Sequence, residues 1–333
     1  MSADGIASVR TERGVPRAWP RHVAVWAIAI VAIAFVAWVV PIRDRCTATG
    51  CEAGLITTMR TTNSAALIGL FAVYLLGTLA WAARWRALLG IANVRLSLMQ
   101  VWRVTLEAQA GGIVLPGGVA GDALRFAYAK GAAPNADLAK IAASIMADRV
   151  VGLVTLAGLA TAAALGFGAD RLGAALPVLA AIPVASIIGW LVLRRPELAR
   201  ARFVQRGIGA RVIKPLLEYA SAKGGGLVLV RGLVLSLLVS GVQLLVVRGL
   251  VAAMSVQPTH EAWMYVGTTL GMIVAAVPAL PGAWGTADAA YIFFLGRAGV
   301  PAPAAAAACL LYRVFWYACG VLGALLALAR RTK

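Results

Sequence analysis

Glu107, Asp122, Arg125, Asp148, Arg149, Asp288 and Arg313 all stand in or beside long apolar stretches. A charge at the centre of a bilayer costs about 2.5–3.5 kcal/mol on insertion scales, so it takes a partner or a water-filled cavity. Arginine carries a planar, multi-donor fork suited to phosphate. Two readings of these residues stand side by side. In the first, Arg125, Arg149 and Arg313, with Asp122, Asp288 and Glu107, line a polar chamber for a lipid head group. In the second, Asp122–Arg149 and Asp288–Arg313 are ion pairs that tie each broken helix to its neighbour.

The elements that must position these charges come as two similar stretches. One runs from Leu115 to Leu153 and the other from Leu280 to Gly323. Each opens Leu-Pro-Gly, continues to an aspartate (Asp122, Asp288) and a loop proline (Pro134, Pro301), and then enters an Ala-rich helix that reaches an arginine (Arg149, Arg313). Duplication explains the likeness, and so does chance in a chain this rich in Ala and Gly. The breaks at Pro116-Gly117-Gly118 and Pro281-Gly282 interrupt apolar segments. Half-helix ends at membrane depth are tolerated only where they are buried in protein or line a wet cavity. Their free N–H groups attract anions, so these turns are candidate phosphate-facing sites. They are not nucleotide loops, because no Lys-Ser/Thr follows the glycines and no strand precedes them.

Composition sets the class. Mean hydropathy is +0.85, 61% of residues are hydrophobic and 13% are charged. Soluble domains carry roughly 25% charged residues. The chain reads as an all-α, polytopic membrane bundle with two broken, re-entrant segments in an inverted repeat. Full spans are expected at 22–40, 64–83, 141–167, 173–193, 227–254 and 304–329. The interrupted segments are 98–130 and 262–296. Apart from short β-branched runs that helices accommodate, no strand signal is present. Residues 1–21 form a basic cytoplasmic end and 22–330 one membrane domain. Within that domain, repeat-like units 64–167 and 227–329 are joined by a basic loop at 194–226.

The net charge of +18 is read as cytoplasmic Lys/Arg excess facing anionic lipid, not as a nucleic-acid surface. With a cytoplasmic amino terminus, 21 of the 31 Lys and Arg fall inside; Arg43, Arg45, Arg60, Arg171 and Arg297 fall outside. Both termini are then cytoplasmic in a multi-pass membrane protein. Three full spans separate the two copies, so the interrupted segments enter from opposite faces, as in alternating-access transporters. Cys46 and Cys51 share an outer loop, where they form either a small disulfide loop or two free thiols. His22 and His260 lie at no zinc-binding spacing with the cysteines, so no metal and no cofactor is expected. In residues 197–217 apolar positions recur at near-helical spacing with basic residues between them, which reads as an interfacial helix on anionic lipid or as a solvated linker. Trp81 and Trp85 around Arg84 read as an aromatic anchor at a span end.

The runs Gly121-Asp122-Ala123-Leu124-Arg125 and Ala147-Asp148-Arg149-Val150-Val151-Gly152-Leu153 carry a resemblance, together with Pro116-Gly117-Gly118, Arg84-Trp85, Pro281-Gly282, Gly285 and Arg313. Over residues 22–330 the chain resembles the flippase-like membrane region of lysylphosphatidylglycerol synthases. The Pro-Gly-Ala-Trp-Gly turn and the position of Asp288 depart from the usual pattern of the second half. The resemblance implies a role in moving or placing polar lipids between leaflets. It does not bring the aminoacyl-transfer activity of larger members, for which this chain has no domain. Three functions are expected as alternatives: a lipid flippase without catalysis, a scaffold for a lipid-modifying enzyme, and a membrane-embedded transferase using a lipid-linked donor. Expected partners are anionic or phosphate-bearing lipids and enzymes of lipid biosynthesis, with no nucleic acid.

Overall fold

The computed structural model describes residues 30–31, 33–47, 50–114, 119–166, 175–193, 195, 197, 214–222, 224–276 and 284–331. The Pro116-Gly117-Gly118 and Pro281-Gly282 turns, residues 22–29 and most of the basic loop lie outside the described residues. The described chain is helical apart from one small hairpin. Helix α1 covers residues 33–39. Strands β1 (Arg45–Thr47) and β2 (Gly50–Glu52) then pair antiparallel, with Cys46 opposite Cys51 and their sulfurs bonded. Composition gives no hint of this hairpin. It is held by that cross-strand link and by Asp44, whose carboxylate accepts the Gly54 N–H at 2.7 Å.

The remaining elements are α2 (Leu55–Thr61), α3 (Ser64–Ile91), α4 (Leu98–Val114), α5 (Val119–Ala132), α6 (Leu138–Gly166), α7 (Ala175–Leu193), α8 (Lys214–Ala220), α9 (Gly225–Ala253), α10 (Glu261–Ala276), α11 (Thr286–Arg297) and α12 (Ala302–Arg331). Four of them are long and apolar enough to cross a membrane: α3, α6, α9 and α12. Each needs about 20 apolar residues to do so, and each exceeds that. The expected span at 173–193 becomes α7, a helix of 19 residues carrying Pro183 and facing outward along most of its length.

Local signals explain the boundaries. Asn63 caps α3 by accepting the Ala66 N–H. Ser97 and Gln100 satisfy one another's backbone N–H groups at the start of α4, a reciprocal cap. Gly224 begins α9 at φ +79°, a backbone state that costs glycine nothing. Nothing breaks α3 between Ala83 and Ile91, so this helix runs eight residues past the expected end. Arg84 and Arg86 therefore lie on the helix itself, ahead of the loop that follows it.

The core is built on an antiparallel seam between α3 and α9. Gly77 faces Val242, Arg84 bonds Ser236, Gly232 faces Leu88 and Gly249 faces Leu70. At one end the Asn63 N–H donates to Ala253 O at 3.0 Å. Around this seam the packing is reciprocal. Helix α4 packs on α12, α10 packs on α6, α5 folds back along α4, and α11 folds back along α10. The α4/α5 hairpin opens at the carboxyl end of α3, where Leu89, Val94, Leu96, Val101, Ala129 and Ile141 form one buried cluster. The α10/α11 hairpin opens at the carboxyl end of α9, where Thr259 N–H donates to Ala298 O at 2.8 Å. Close approach needs small residues, as in membrane helix pairs generally. A Cβ on Gly323 of α12 would run into the backbone of Leu106 and Glu107 on α4, and one on Gly121 would stand 2.7 Å from Ala108 O.

Candidate functional site

The embedded charges gather into two groups. The first joins α3, α5 and α6. Asp148 accepts from Arg84 Nε at 2.7 Å, Trp81 Nε1 at 3.2 Å and Arg125 Nη1 at 3.3 Å. Arg84 also donates to Ser236 Oγ on α9 at 2.9 Å, so the other half of the chain contributes a ligand. Arg125 lies over the Trp81 and Trp85 rings, 5.0 and 5.2 Å from their centroids. Such stacking holds a guanidinium plane in place. Asp148, Arg125 and Arg84 are only 2%, 4% and 6% exposed. Asp122 and Arg149 complete the group through a 2.6 Å ion pair, and both act electrostatically on Arg125. Their side chains are 29% and 39% exposed, so this pair sits at the rim of the group.

The second group joins α11 and α12. Arg313 donates to Asp288 at 3.1–3.2 Å, with side-chain exposures of 7% and 11%. Asp288 stands in the first turn of α11 and accepts the Gly285 N–H at 2.9 Å, which places its charge at the favourable end of the helix dipole. Its other oxygen accepts from Cys309 Sγ at 3.0 Å. Trp284 lies on Arg313, 3.8 Å from ring centroid to guanidinium carbon, and donates to Tyr317 Oη at 3.0 Å.

The structure thus brings Asp122, Arg125 and Arg149 together in one group and Asp288 with Arg313 in another. Both Asp–Arg pairs that the two similar stretches have in common are formed. Glu107 lies half-buried on α4, where the backbone meets Gly323 of α12. Sequence reasoning passed over Arg84, Trp81 and Trp85, which it had read as an interfacial anchor. The uninterrupted helical run from Ala83 to Ile91 was the signal that would have drawn them in. Asp148 was recognised as an embedded charge but not chosen, although it is the hub of the first group.

At the α3/α9 seam a small open recess is lined by Tyr74, Gly77, Thr78, Trp81, Val239, Val242 and Gln243 and holds about 240 Å³, including solvent at its mouth. Trp81 is shared between this recess and the Asp148 hub. Among the described residues no group of three or more His, Cys, Asp and Glu side chains could hold a metal ion.

No curated protein and no solved structure matches the chain significantly. A family model described as the lysylphosphatidylglycerol synthase TM region matches residues 24–323, nearly the whole chain. With four membrane-length apolar helices and the Gly121–Arg125 and Ala147–Leu153 runs inside the matched span, this multi-pass membrane protein belongs to the family of the lysylphosphatidylglycerol synthase transmembrane region.

Proposed function

We propose that the chain moves or places a polar lipid, phosphate-bearing or glycosylated isoprenoid, between the leaflets of a bacterial-type inner membrane. It does so without catalysis and with both termini in the cytoplasm. The observation that carries the reading is a buried charge on each of two helical hairpins, Arg125 and Asp288, each paired with an opposite charge on the helix that follows, the hairpins opening at opposite ends of the α3/α9 seam. Embedded ionisable residues are expensive and mark substrate paths. Interrupted helices in paired repeats are where transporters place their substrates. On this reading the hairpins re-enter the membrane from opposite faces as an inverted pair. The head group meets the arginines while the acyl chains stay in lipid. Lipid-biosynthesis enzymes supply the cargo.

Reconstituted vesicles carrying head-group-labelled phosphatidylglycerol test this by reduction of the label in the outer leaflet. The expected result is loss of the protected inner pool faster than in protein-free vesicles. Arg149→Ala and Arg313→Ala should return the rate to background while still inserting, and Arg149→Lys should restore it in part, keeping charge but losing the fork. Wild-type protein with only the background rate would overturn the reading. The other reading is a scaffold for a lipid-modifying enzyme. A background rate, together with co-purification of such an enzyme, would support that alternative.

A further inference from the structure

Helix α1 meets the bundle along one thin edge. Of residues 33–40, Val36, Val39 and Val40 are sheltered and pack on the central core cluster, and the other five are exposed. Trp38 is 78% exposed. In lipid an exposed apolar face costs nothing, and no hydrophobic force draws one helix to another, so packing and hydrogen bonds must hold them. Helix α1 has little packing. Its carboxyl end is tied instead, through the backbone, to the segment that enters α2. The Leu55 N–H donates to Pro41 O at 2.9 Å and the Ile56 N–H to Ile42 O at 3.2 Å. A Cβ on Gly54 would run into the Arg43 backbone, so the two legs of the loop touch at this neck. Helix α2 is itself fixed: it packs on α12, and the buried Thr58 hydroxyl donates to Gly54 O at 2.9 Å.

Beyond the neck stands the small hairpin. Its strands are three residues each, and every described residue from Ile42 to Ala53 is exposed. Isolated two-stranded hairpins are marginal in water. This one is closed by the bond between Cys46 and Cys51, directly opposite one another, with a 3.1 Å hydrogen bond from Thr47 Oγ1 to Gly50 O at its tip. The disulfide thus holds the hairpin, the hairpin holds the neck, and the neck holds α1. Both of its cysteines are exposed. Disulfides that thiols can reach are the ones that exchange, whereas burial protects by denying access. The other two cysteines, Cys309 and Cys319, are buried and free, so they do not compete for this chemistry. Neither charge group uses the Cys46–Cys51 bond.

We infer that the Cys46–Cys51 disulfide is a reversible modification site, opened by a dithiol reductant of the Cys-x-x-Cys class, and that its redox state sets how firmly α1 is held to the bundle. In the first step a thiolate of the reductant attacks one of the two sulfurs. A mixed disulfide forms, and the other cysteine leaves as a thiolate that takes up a proton. The reductant's second thiol, as thiolate, then attacks its own sulfur in the mixed disulfide. The second cysteine leaves and is protonated, and the reductant departs as a disulfide. Two electrons have passed from the dithiol to the cystine. A small-molecule disulfide in excess reverses the sequence. The opened hairpin frees the neck to fray, which leaves α1 with its three valine contacts. Only the side of the membrane on which the reductant acts rests on the orientation proposed above.

The test uses the full chain in lipid nanodiscs, treated with dithiothreitol at constant pH and without denaturant. The disulfide should open fully, read by maleimide labelling of the peptide spanning residues 45–52, while Cys309 and Cys319 stay unlabelled. Hydrogen exchange at Leu55 and Ile56 should then quicken about tenfold or more, as expected when the cross-link closing a short loop is lost, with the amides of α12 unchanged. Photo-crosslinking from Val39→p-benzoylphenylalanine to the rest of the bundle should fall in parallel. Oxidised glutathione in place of dithiothreitol should restore all three readouts. The double variant Cys46→Ser with Cys51→Ser should show the reduced values under either treatment. A bond that opens only once the bundle unfolds overturns the modification site. Full reduction with unchanged exchange at Leu55 and Ile56, or with unchanged crosslinking, overturns the hold on α1. The labelling and exchange arms run on the wild-type chain, so a double variant that fails to insert leaves the test decisive. They read neither lipid movement nor membrane orientation, so failure of the transport reading leaves this inference standing.

Discussion

Replacing Asp148 by Asn should be among the most damaging single changes in the membrane domain. The carboxylate accepts from Arg84 at 2.7 Å, Trp81 at 3.2 Å and Arg125 at 3.3 Å, and is 2% exposed. Asparagine keeps one acceptor oxygen, presents an NH₂ toward donors, and leaves both guanidinium groups without a counter-charge. Removing one partner of a buried pair costs about 3–5 kcal/mol. The rim pair provides the internal control. Asp122 and Arg149 are 29% and 39% exposed, and pairs of that kind contribute about 0–1 kcal/mol. The two Asn variants should therefore differ by at least about 2 kcal/mol, more than tenfold in the ratio of folded to unfolded protein. Equilibrium unfolding in bicelles titrated with dodecyl sulfate, followed by tryptophan fluorescence, measures both. If Asp148→Asn lies within about 1 kcal/mol of wild type, or Asp122→Asn costs as much, burial does not rank these ion pairs and the reasoning is wrong.

Gly323→Ala drives a methyl group into the α4 backbone at Leu106 and Glu107 and should cost about 1–3 kcal/mol in the same assay, whereas Gly158→Ala, with open space around it, should cost nothing. Mass analysis of the non-reduced peptide spanning residues 45–52 should find Cys46 and Cys51 joined in membranes from cells, and two alkylated thiols would contradict it. The hydrogen bond from the Gly54 N–H, followed by that from Thr57, holds the Asp44 carboxyl below the usual carboxylate range. Its contribution is complete above the ordinary value of about 3.9 and is lost as pH falls through the lower folded value. The protection of the Gly54 amide, its exchange rate relative to the intrinsic rate at the same pH, should accordingly fall below about pH 4, and Asp44→Asn should flatten that dependence. Cysteine placed at position 210 should label only from the cytoplasmic side of intact cells, and external labelling would refute the proposed orientation.

Much of the architecture was legible because the bilayer leaves few options. Apolar runs of about 20 residues become helices, and the spans at α3, α6, α9 and α12 follow directly. The Asp122–Arg149 and Asp288–Arg313 pairs were also readable, since the similar stretches put one Asp and one Arg at matching places. Three features were not. The 45–52 hairpin depends on a cross-strand sulfur bond and one carboxylate contact, neither of which shows as strand propensity. The Arg84 hub was concealed because a charge beside tryptophans at an apparent span end looks like an interfacial anchor. Only the helix's continuation to Ile91 and the return of α6 beside it make Arg84 a buried partner of Asp148. The reciprocal packing of α4 on α12, where Gly323 lets the backbones meet, and of α10 on α6 is a long-range fact that periodicity does not encode.

The α3/α9 seam has a consequence for how the chain holds together. Its facing pairs run in opposite directions at constant register along both helices, which is how two identical subunits meet across a two-fold axis. With α4 clasped by α12 and α6 by α10, each half lends a helix to the other's core, like swapped arms between protomers. The two halves therefore cohere through an interface of obligate-dimer character. The two stretches nevertheless differ in detail: Trp284 stands four residues before its aspartate where the first stretch has Gly118 four residues before its own. In a symmetric dimer every change appears on both sides. In a single chain one arginine can be sheathed by an aromatic while its counterpart stays open to solvent.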